Sequence, residues 1–337
     1  MHRSTIVRTF AALAPLAALA LIGPARASVP GKSYAERILA VSAEPSMADR
    51  MPQAPVAFPG GVRAWRDVTY QQQPGFRPQI VDIYVPAGKG PHPLVLYIHG
   101  GGWIGGHTRQ SGAFTDFPRM LASLAAEGFT VASVEYRLSG EAPFPAQARD
   151  VNAAIRFLVG HAEDYRIDPS RIGVFGGSAG GHLAALAALS CRDTALDPAA
   201  ARDACVTAAV TWYGVMDFAA LPRINQPGSP EQRLLGCKDS CPAEQIRAAN
   251  PISYVSAKSP PMLIIAGEND QTVPPAQSHA LEAALRAAGA DVRAIYYPGI
   301  DHSFIGKSAA ETAATSQKAA NATFDFFHEK LRVQRRP

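Results

Sequence analysis

The sequence predicts an α/β fold: a mostly parallel, eight-stranded sheet with helices on both faces and a small insertion or cap. Three observations carry this reading. Short apolar runs and helical patterns alternate along most of the chain, the rhythm of a parallel sheet covered on both sides. One run, Leu94–Ile98, is apolar at every position, as in a strand buried on both faces. A serine among four glycines, in VFGGSAGGHLAAL (174–186), stands where a strand passes directly into a helix.

The elements follow in order. Val62–Tyr70 and Gln79–Val85 read as two strands joined by a Pro74-Gly75 turn. Leu94–Ile98 is the third strand, Phe117–Glu127 a helix ending at Gly128, and Phe129–Glu135 the fourth strand. Ala146–Ala162 is a helix with Val151, Ile155 and Leu158 on one face. Arg171–Phe175 is a strand, Ser178–Leu189 a helix, and Val206–Tyr213 a strand. Met262–Ala266, Pro275–Ala288, Val292–Tyr297 and Ser308–Leu331 complete the series as strand, helix, strand and closing helix. Residues 216–256, with five prolines and two cysteines, break the rhythm and read as an insertion over the sheet edge, a partial cap.

The first residues stand apart. Arg3 and Arg8 precede an apolar run, Phe10–Ile22, and then Gly23-Pro24-Ala25-Arg26-Ala27. A positive start, a short apolar run and an A-x-A ending describe a secretory signal peptide, cleaved after Ala27. The run is short for a bilayer span and contains Pro15, which argues against a membrane anchor. The expected organisation is a signal peptide (1–27), a Pro-, Ala- and Ser-rich lead-in (28–60) with one helix near 33–42, and a single domain (61–334). The product is expected in a periplasm or outside the cell.

Composition narrows the function. Hydrophobic residues make up 47% of the 337 and charged residues 18%, a globular mix. The net charge of +4 includes the three signal-peptide arginines, so the remainder is close to neutral and gives no argument for nucleic acid. The cysteines are Cys191, Cys205, Cys237 and Cys241. In an exported chain they suggest two disulfides, of which Cys191–Cys205 and Cys237–Cys241 close local loops. The first would stabilise by roughly 3 kcal/mol in the loop-entropy model. No histidine lies at zinc-ligand spacing beside them, and no metal or organic cofactor is expected.

The glycines around Ser178 have a physical purpose. A serine between a strand and an immediately following helix sits on a sharp turn, where side chains two residues before and after would collide. Gly176 and Gly180 occupy those places in a G-x-S-x-G pattern. The turn exposes one hydroxyl above a helix N-terminus, where the helix dipole and the Ala179 N–H face any developing negative charge. A second glycine cluster, YIHGGGWIGG (97–106), also follows a buried strand. Unhindered N–H groups at Gly101 and Gly102, with that of Ala179, make a candidate oxyanion hole. His99 is read as a prop for this loop and Trp103 as a wall of the substrate pocket.

A nucleophilic serine needs a base, and the base an orienting acid. His302, in YYPGIDHSF, and Asp270, in LIIAGENDQTVP, each follow a strand, giving the chain order Ser178, Asp270, His302. Asp217, Asp301 and Glu268 are the competing acids. His182 would be held beneath the sheet surface by the serine's helix, while His279 and His328 fall on helices where a solvated face is the default.

These residues, with Glu135-Tyr136-Arg137-Leu138, Phe144-Pro145-Ala146-Gln147 leading to Asp150, and Asn250-Pro251-Ile252-Ser253-Tyr254, resemble the α/β-hydrolase superfamily. Within it they resemble the hormone-sensitive-lipase branch and the bacterial feruloyl/acetyl-xylan esterases, over about residues 60–330. Glu135 stands where the lipase pattern usually has Asp, and the lead-in is short, which tilts the resemblance toward the lid-poor feruloyl/acetyl-xylan type. The resemblance implies a secreted serine carboxylesterase acting on short-chain or aromatic esters, free or polysaccharide-linked. A serine amidase or peptidase, formamidase-like or prolyl-peptidase-like, would use the same residues. A non-catalytic binding protein on this fold would be expected to lack one of the three. A true lipase would need a longer apolar lid than residues 216–256 offer. Oligomeric state is not readable from the residues.

Overall fold

The computed structural model describes residues 54–200 and 205–331. The signal peptide, most of the lead-in with its helix near 33–42, and the arginine-bearing tail lie outside these. The sheet has nine strands rather than eight. Ahead of the expected set, β1 (Val56–Phe58) pairs antiparallel with β2 (Val62–Gln71). Three residues of VAF carry too little periodicity to be read as a strand, and only pairing with β2 makes them one. There follow β3 (Gln79–Val85), β4 (His92–Ile98), α1 (Phe117–Ala126), β5 (Thr130–Val134), α2 (Ala146–Gly160), β6 (Ile167–Gly177) and α3 (Ala179–Leu189). The chain continues through β7 (Ala208–Trp212), α4 (Pro230–Leu235), α5 (Ala243–Ala249), β8 (Met262–Gly267), α6 (Ala276–Ala287), β9 (Val292–Tyr297) and α7 (Ala309–Lys330).

The strand order is β1-β2-β3-β5-β4-β6-β7-β8-β9. Pairings from β1 through β3 to β5 are antiparallel; all later ones are parallel. The central strands are apolar at successive positions because each face has its own core. Leu94, Leu96 and Ile98 of β4 join the core that holds Val151, Ile155 and Leu158 of α2, the face expected for that helix, and α3 and α6. Val95 and Tyr97 point the other way, into the core with Phe117 and Leu121 of α1 and Phe324 and Phe327 of α7. Helix α3 is apolar nearly all round and almost wholly buried, as its AGGHLAALAAL sequence requires.

Residues 216–256 fold into α4, α5 and two single 3-10 turns, Phe218–Ala220 and Pro251–Tyr254. Phe218, Leu221, Leu234 and Leu235 from this segment enter the α2/α3 core. Cys237 is bonded to Cys241 between α4 and α5, and Cys191 to Cys205 beyond the end of α3, the two local pairings.

Buried charge fixes the loops above the sheet. Arg137 donates through Nε and Nη2 to both carboxylate oxygens of Asp150 on α2, at 2.8 and 2.7 Å, and its backbone N–H donates to the same carboxylate. Asp150 is fully buried and Gln71 Nε2 supplies a further donor. Removing the guanidinium would strand an unpaired buried carboxylate. Arg137→Met is expected to lower unfolding free energy by about 3–5 kcal/mol, with Arg137→Met/Asp150→Leu recovering much of the loss; urea denaturation of the three proteins measures both.

Candidate active site

Ser178 sits between β6 and α3 with φ 56° and ψ −122°, a strained conformation for a non-glycine residue. Its backbone is held on both sides: its N–H donates to the Trp212 carbonyl at 2.9 Å and its carbonyl accepts from His182 N–H at 3.0 Å. The flanking glycines are sterically required. A Cβ at Gly176 would lie 2.6 Å from the Ile98 carbonyl oxygen, and one at Gly180 would be driven into that same oxygen and stand 2.7 Å from the His99 carbonyl.

The loop after β4 lies against this turn. Gly101 and Gly102 take φ of 109° and 59° and line one cavity with Ser178 and His302. Ala179, the first residue of α3, is buried directly behind the serine and does not itself line the cavity. His99 donates from Nδ1 to the Gly100 carbonyl at 2.7 Å and stacks on Tyr136 at 4.3 Å. The Tyr136 hydroxyl donates back to the His99 carbonyl at 3.0 Å. Farther along, Arg109 donates to both oxygens of fully buried Asp82 on β3, at 2.8 and 3.0 Å, pinning the loop's far end. Glu135 of the same motif accepts from Arg77 Nη1 at 2.6 Å, so its departure to Glu bears on a salt bridge rather than on the cavity.

The structure brings Asp270 and His302 together. His302 Nδ1 meets Asp270 Oδ2 at 2.7 Å, while Oδ1 accepts the N–H groups of Thr272 and Val273, each at 2.8 Å. With both oxygens engaged and only 3% of its surface exposed, Asp270 is fixed to hold one imidazole edge. Tyr213 packs edge-on to His302 at 4.7 Å, and its burial pushes the phenol well above its usual range, so it stays neutral there.

The competing acids are occupied elsewhere. Asp217 accepts from Ala219 N–H and Asn250 Nδ2, Asp301 from Gln271 and His302 N–H, and Glu268 faces His279. Those two backbone N–H donors hold the Asp301 carboxyl below the usual range. His182 is fully buried, donates from Nε2 to the Ala249 carbonyl at 2.8 Å, and accepts at Nδ1 from Trp103 Nε1 at 3.2 Å. His328 departs from the solvated default: it is buried and meets the Glu127 carboxylate. Trp103 lines the cavity from a nearly sealed position, its ring against His182 and Phe218.

The cavity measures about 650 Å³, within the range of small-molecule sites. Sequence reading missed several of its lining residues: Tyr213, Ser303, Arg223, Pro230 and Glu231. Tyr213 is the last residue of a predicted strand, but Arg223 and Glu231 sit in an aperiodic segment that carries no motif. Among the described residues no cluster of three or more His, Cys, Asp or Glu side chains is arranged to hold a metal ion.

A strained serine between a parallel strand and a buried helix, with an acid–histidine pair from the loops after the last two strands, defines an α/β-hydrolase. The BD-FAE family model matches residues 81–285, more than half of the chain. Esterase LipQ of Mycobacterium tuberculosis is 36% identical over 263 residues, 75% of this chain and 60% of LipQ. A truncated carbohydrate esterase from gut microbiota superposes with a TM-score of 0.67 at 29% identity, over 80% of this chain and 96% of its own. A thermophilic esterase of the planctomycete Thermogutta terrifontis, with propionate bound, gives 0.63 at 25% identity, over 80% and 94%. The chain belongs to the BD-FAE family and has the α/β-hydrolase fold. It spans less than two thirds of LipQ's length.

Two expectations follow from the geometry. Gly180→Ala should abolish soluble folded protein or lower the thermal midpoint sharply, because the obstructing atom is backbone; scanning calorimetry beside wild type measures it. Acid sensitivity follows from His99 and His182, whose pKa values burial lowers to about 4, against the pull of their backbone hydrogen bonds. Between about pH 6.5 and 4 the unfolded chain binds protons at both positions that the folded chain refuses, so stability falls as pH drops through this window and levels off below it. The expected loss is about 1–3 kcal/mol per histidine, read from urea midpoints. His182→Gln, which keeps a donor toward Ala249, should remove roughly half of that slope.

Proposed function

We propose that this protein is a secreted serine carboxylesterase that hydrolyses short-chain or aromatic carboxylic esters through an acyl-enzyme on Ser178. The observation that carries the reading is the 2.7 Å bond from His302 Nδ1 to a fully engaged Asp270, at a cavity shared with a serine on a strained strand-to-helix turn. With Nδ1 donating to the carboxylate, Nε2 is the imidazole atom left to accept a proton. His302 takes the Ser178 hydroxyl proton as Oγ attacks the ester carbonyl. The N–H groups of Gly101, Gly102 and Ala179, at the positive end of α3, receive the oxyanion. His302 then protonates the departing alcohol, and water activated by the same ring releases the acid. Asp270 orients the imidazole and offsets its transient charge. Trp103 walls the cavity.

The esterase names of LipQ and of the solved neighbours support ester over amide chemistry. The propionate-bound neighbour supports a short acyl group, and the gut carbohydrate esterase supports a sugar-linked substrate. Export rests on the N-terminal signal pattern and agrees with the two disulfides. Among the described residues no helix is long and apolar enough to cross a membrane.

Initial rates on p-nitrophenyl acetate, butyrate and octanoate, acetylated xylan, methyl ferulate and N-formylkynurenine test the activity. The acetate and butyrate esters should turn over fastest among the nitrophenyl series. Ser178→Ala should lose at least about 10³-fold in kcat, and Asp270→Asn about 10⁴-fold. Full activity in Ser178→Ala, or none in folded wild type, would sink the reading. For export, the mass and N-terminal sequence of the mature protein should begin at Ser28.

A further inference from the structure

The cavity beside Ser178 holds a charged pair that ester cleavage does not require. Arg223 and Glu231 both line it, from the segment between β7 and β8, and are the lone guanidinium and lone carboxylate among the lining residues. Arg223 Nε donates to Glu231 Oε1 at 2.9 Å. The two ends of the pair differ in access: the Glu231 side chain is sealed from solvent, whereas the Arg223 side chain is 31% exposed. The other carboxylate oxygen, Oε2, is buried with no partner. The bond to Glu231 engages Nε, which leaves the two terminal nitrogens of the fork, Nη1 and Nη2, outside it.

Burying a carboxylate is costly and is tolerated when a partner is held against it. Here the buried member orients the exposed one. Glu231 anchors Arg223 through Nε, which restrains a side chain that would otherwise lose much rotamer freedom on binding. The more accessible member of this cavity-lining pair is the cationic one, and the Nη fork of a guanidinium matches a planar carboxylate. Neither proton transfer at His302 nor oxyanion stabilisation by backbone N–H groups calls for a cation at this wall.

We propose that Arg223 is the specificity-determining residue of the cavity, taking the carboxylate of a substrate ester whose acyl or alcohol part carries one, with Glu231 as its positioning residue. The preferred class is then acidic esters, such as half-esters of dicarboxylic acids or esters borne on an acid-bearing alcohol. This rests on the esterase reading of Ser178.

The test compares matched substrates differing in one carboxylate: mono-p-nitrophenyl adipate against p-nitrophenyl hexanoate on the acyl side, and 4-acetoxybenzoate against phenyl acetate on the alcohol side. In at least one pair, the charged-to-neutral ratio of kcat/KM should fall by about 10- to 100-fold in Arg223→Met, mainly through KM, with the neutral substrate within about threefold of wild type. Arg223→Met/Glu231→Gln, which removes the stranded carboxylate charge, should show the same fall. In wild type, added NaCl should raise KM for the charged substrate and leave the neutral one unchanged, a readout needing no variant. Unchanged ratios in both pairs, or no salt effect on either acidic substrate, overturn the proposal while leaving the esterase standing. Failure of wild type on the neutral esters overturns the esterase reading, and the proposal with it.

Discussion

The site depends on how closely the start of α3 approaches the end of β4. Gly180 lies against the carbonyls of Ile98 and His99, and Gly176 against Ile98 from the β6 side. Gly100 completes the contact, since a Cβ there would stand 2.8 Å from the Gly177 carbonyl. Backbone meets backbone at each point, and no rearrangement of side chains relieves it. The consequence is chemical as well as structural. The same approach holds Ser178 at a positive φ, and the loop of Gly101 and Gly102 lines one cavity with it.

Polar groups outside this contact keep the loops from wandering. Each residue of Glu135-Tyr136-Arg137 reaches a different element: Arg77 before β3, His99 after β4, and Asp150 on α2. Arg109 on Asp82 does the same for the far end of the glycine-rich loop. These are charge-assisted or buried bonds, and most have few ways to exchange with water. Burial also sorts the histidines by task. His99 and His182 are sealed and held neutral, each donating to a backbone carbonyl, whereas His302 keeps part of its surface open and faces a carboxylate.

The cavity has two kinds of wall. One is built from the ends of β4, β6 and β9 and the loops that follow them, which supply Gly101, Gly102, Ser178 and His302. The other comes from the segment between β7 and β8, which supplies Arg223, Pro230 and Glu231 and is tied into the α2/α3 core by Phe218, Leu234 and Leu235. The Cys237–Cys241 bond lies just beyond α4 in the same segment. The two walls thus come from separate stretches of chain, joined where the Ala249 carbonyl accepts from His182 of α3.

The sequence by itself determined whatever is local. Eight strands were legible because apolar runs of five to ten residues bounded by turns have few alternatives, and the ninth was missed because three residues carry no period. The glycine pattern at Ser178 was legible because a tight turn leaves its steric demand within five residues. Asp270 and His302 were legible because each lies in the loop directly after a predicted strand. Tertiary structure alone decided which residues from distant segments meet. It sealed Trp103 against His182, buried His328 against Glu127, and set Arg223 beside Glu231 on the cavity wall. The first and last of these depend on how the segment between β7 and β8 packs over α3. No periodicity within that segment encodes it, because the surface it must match is built by other parts of the chain.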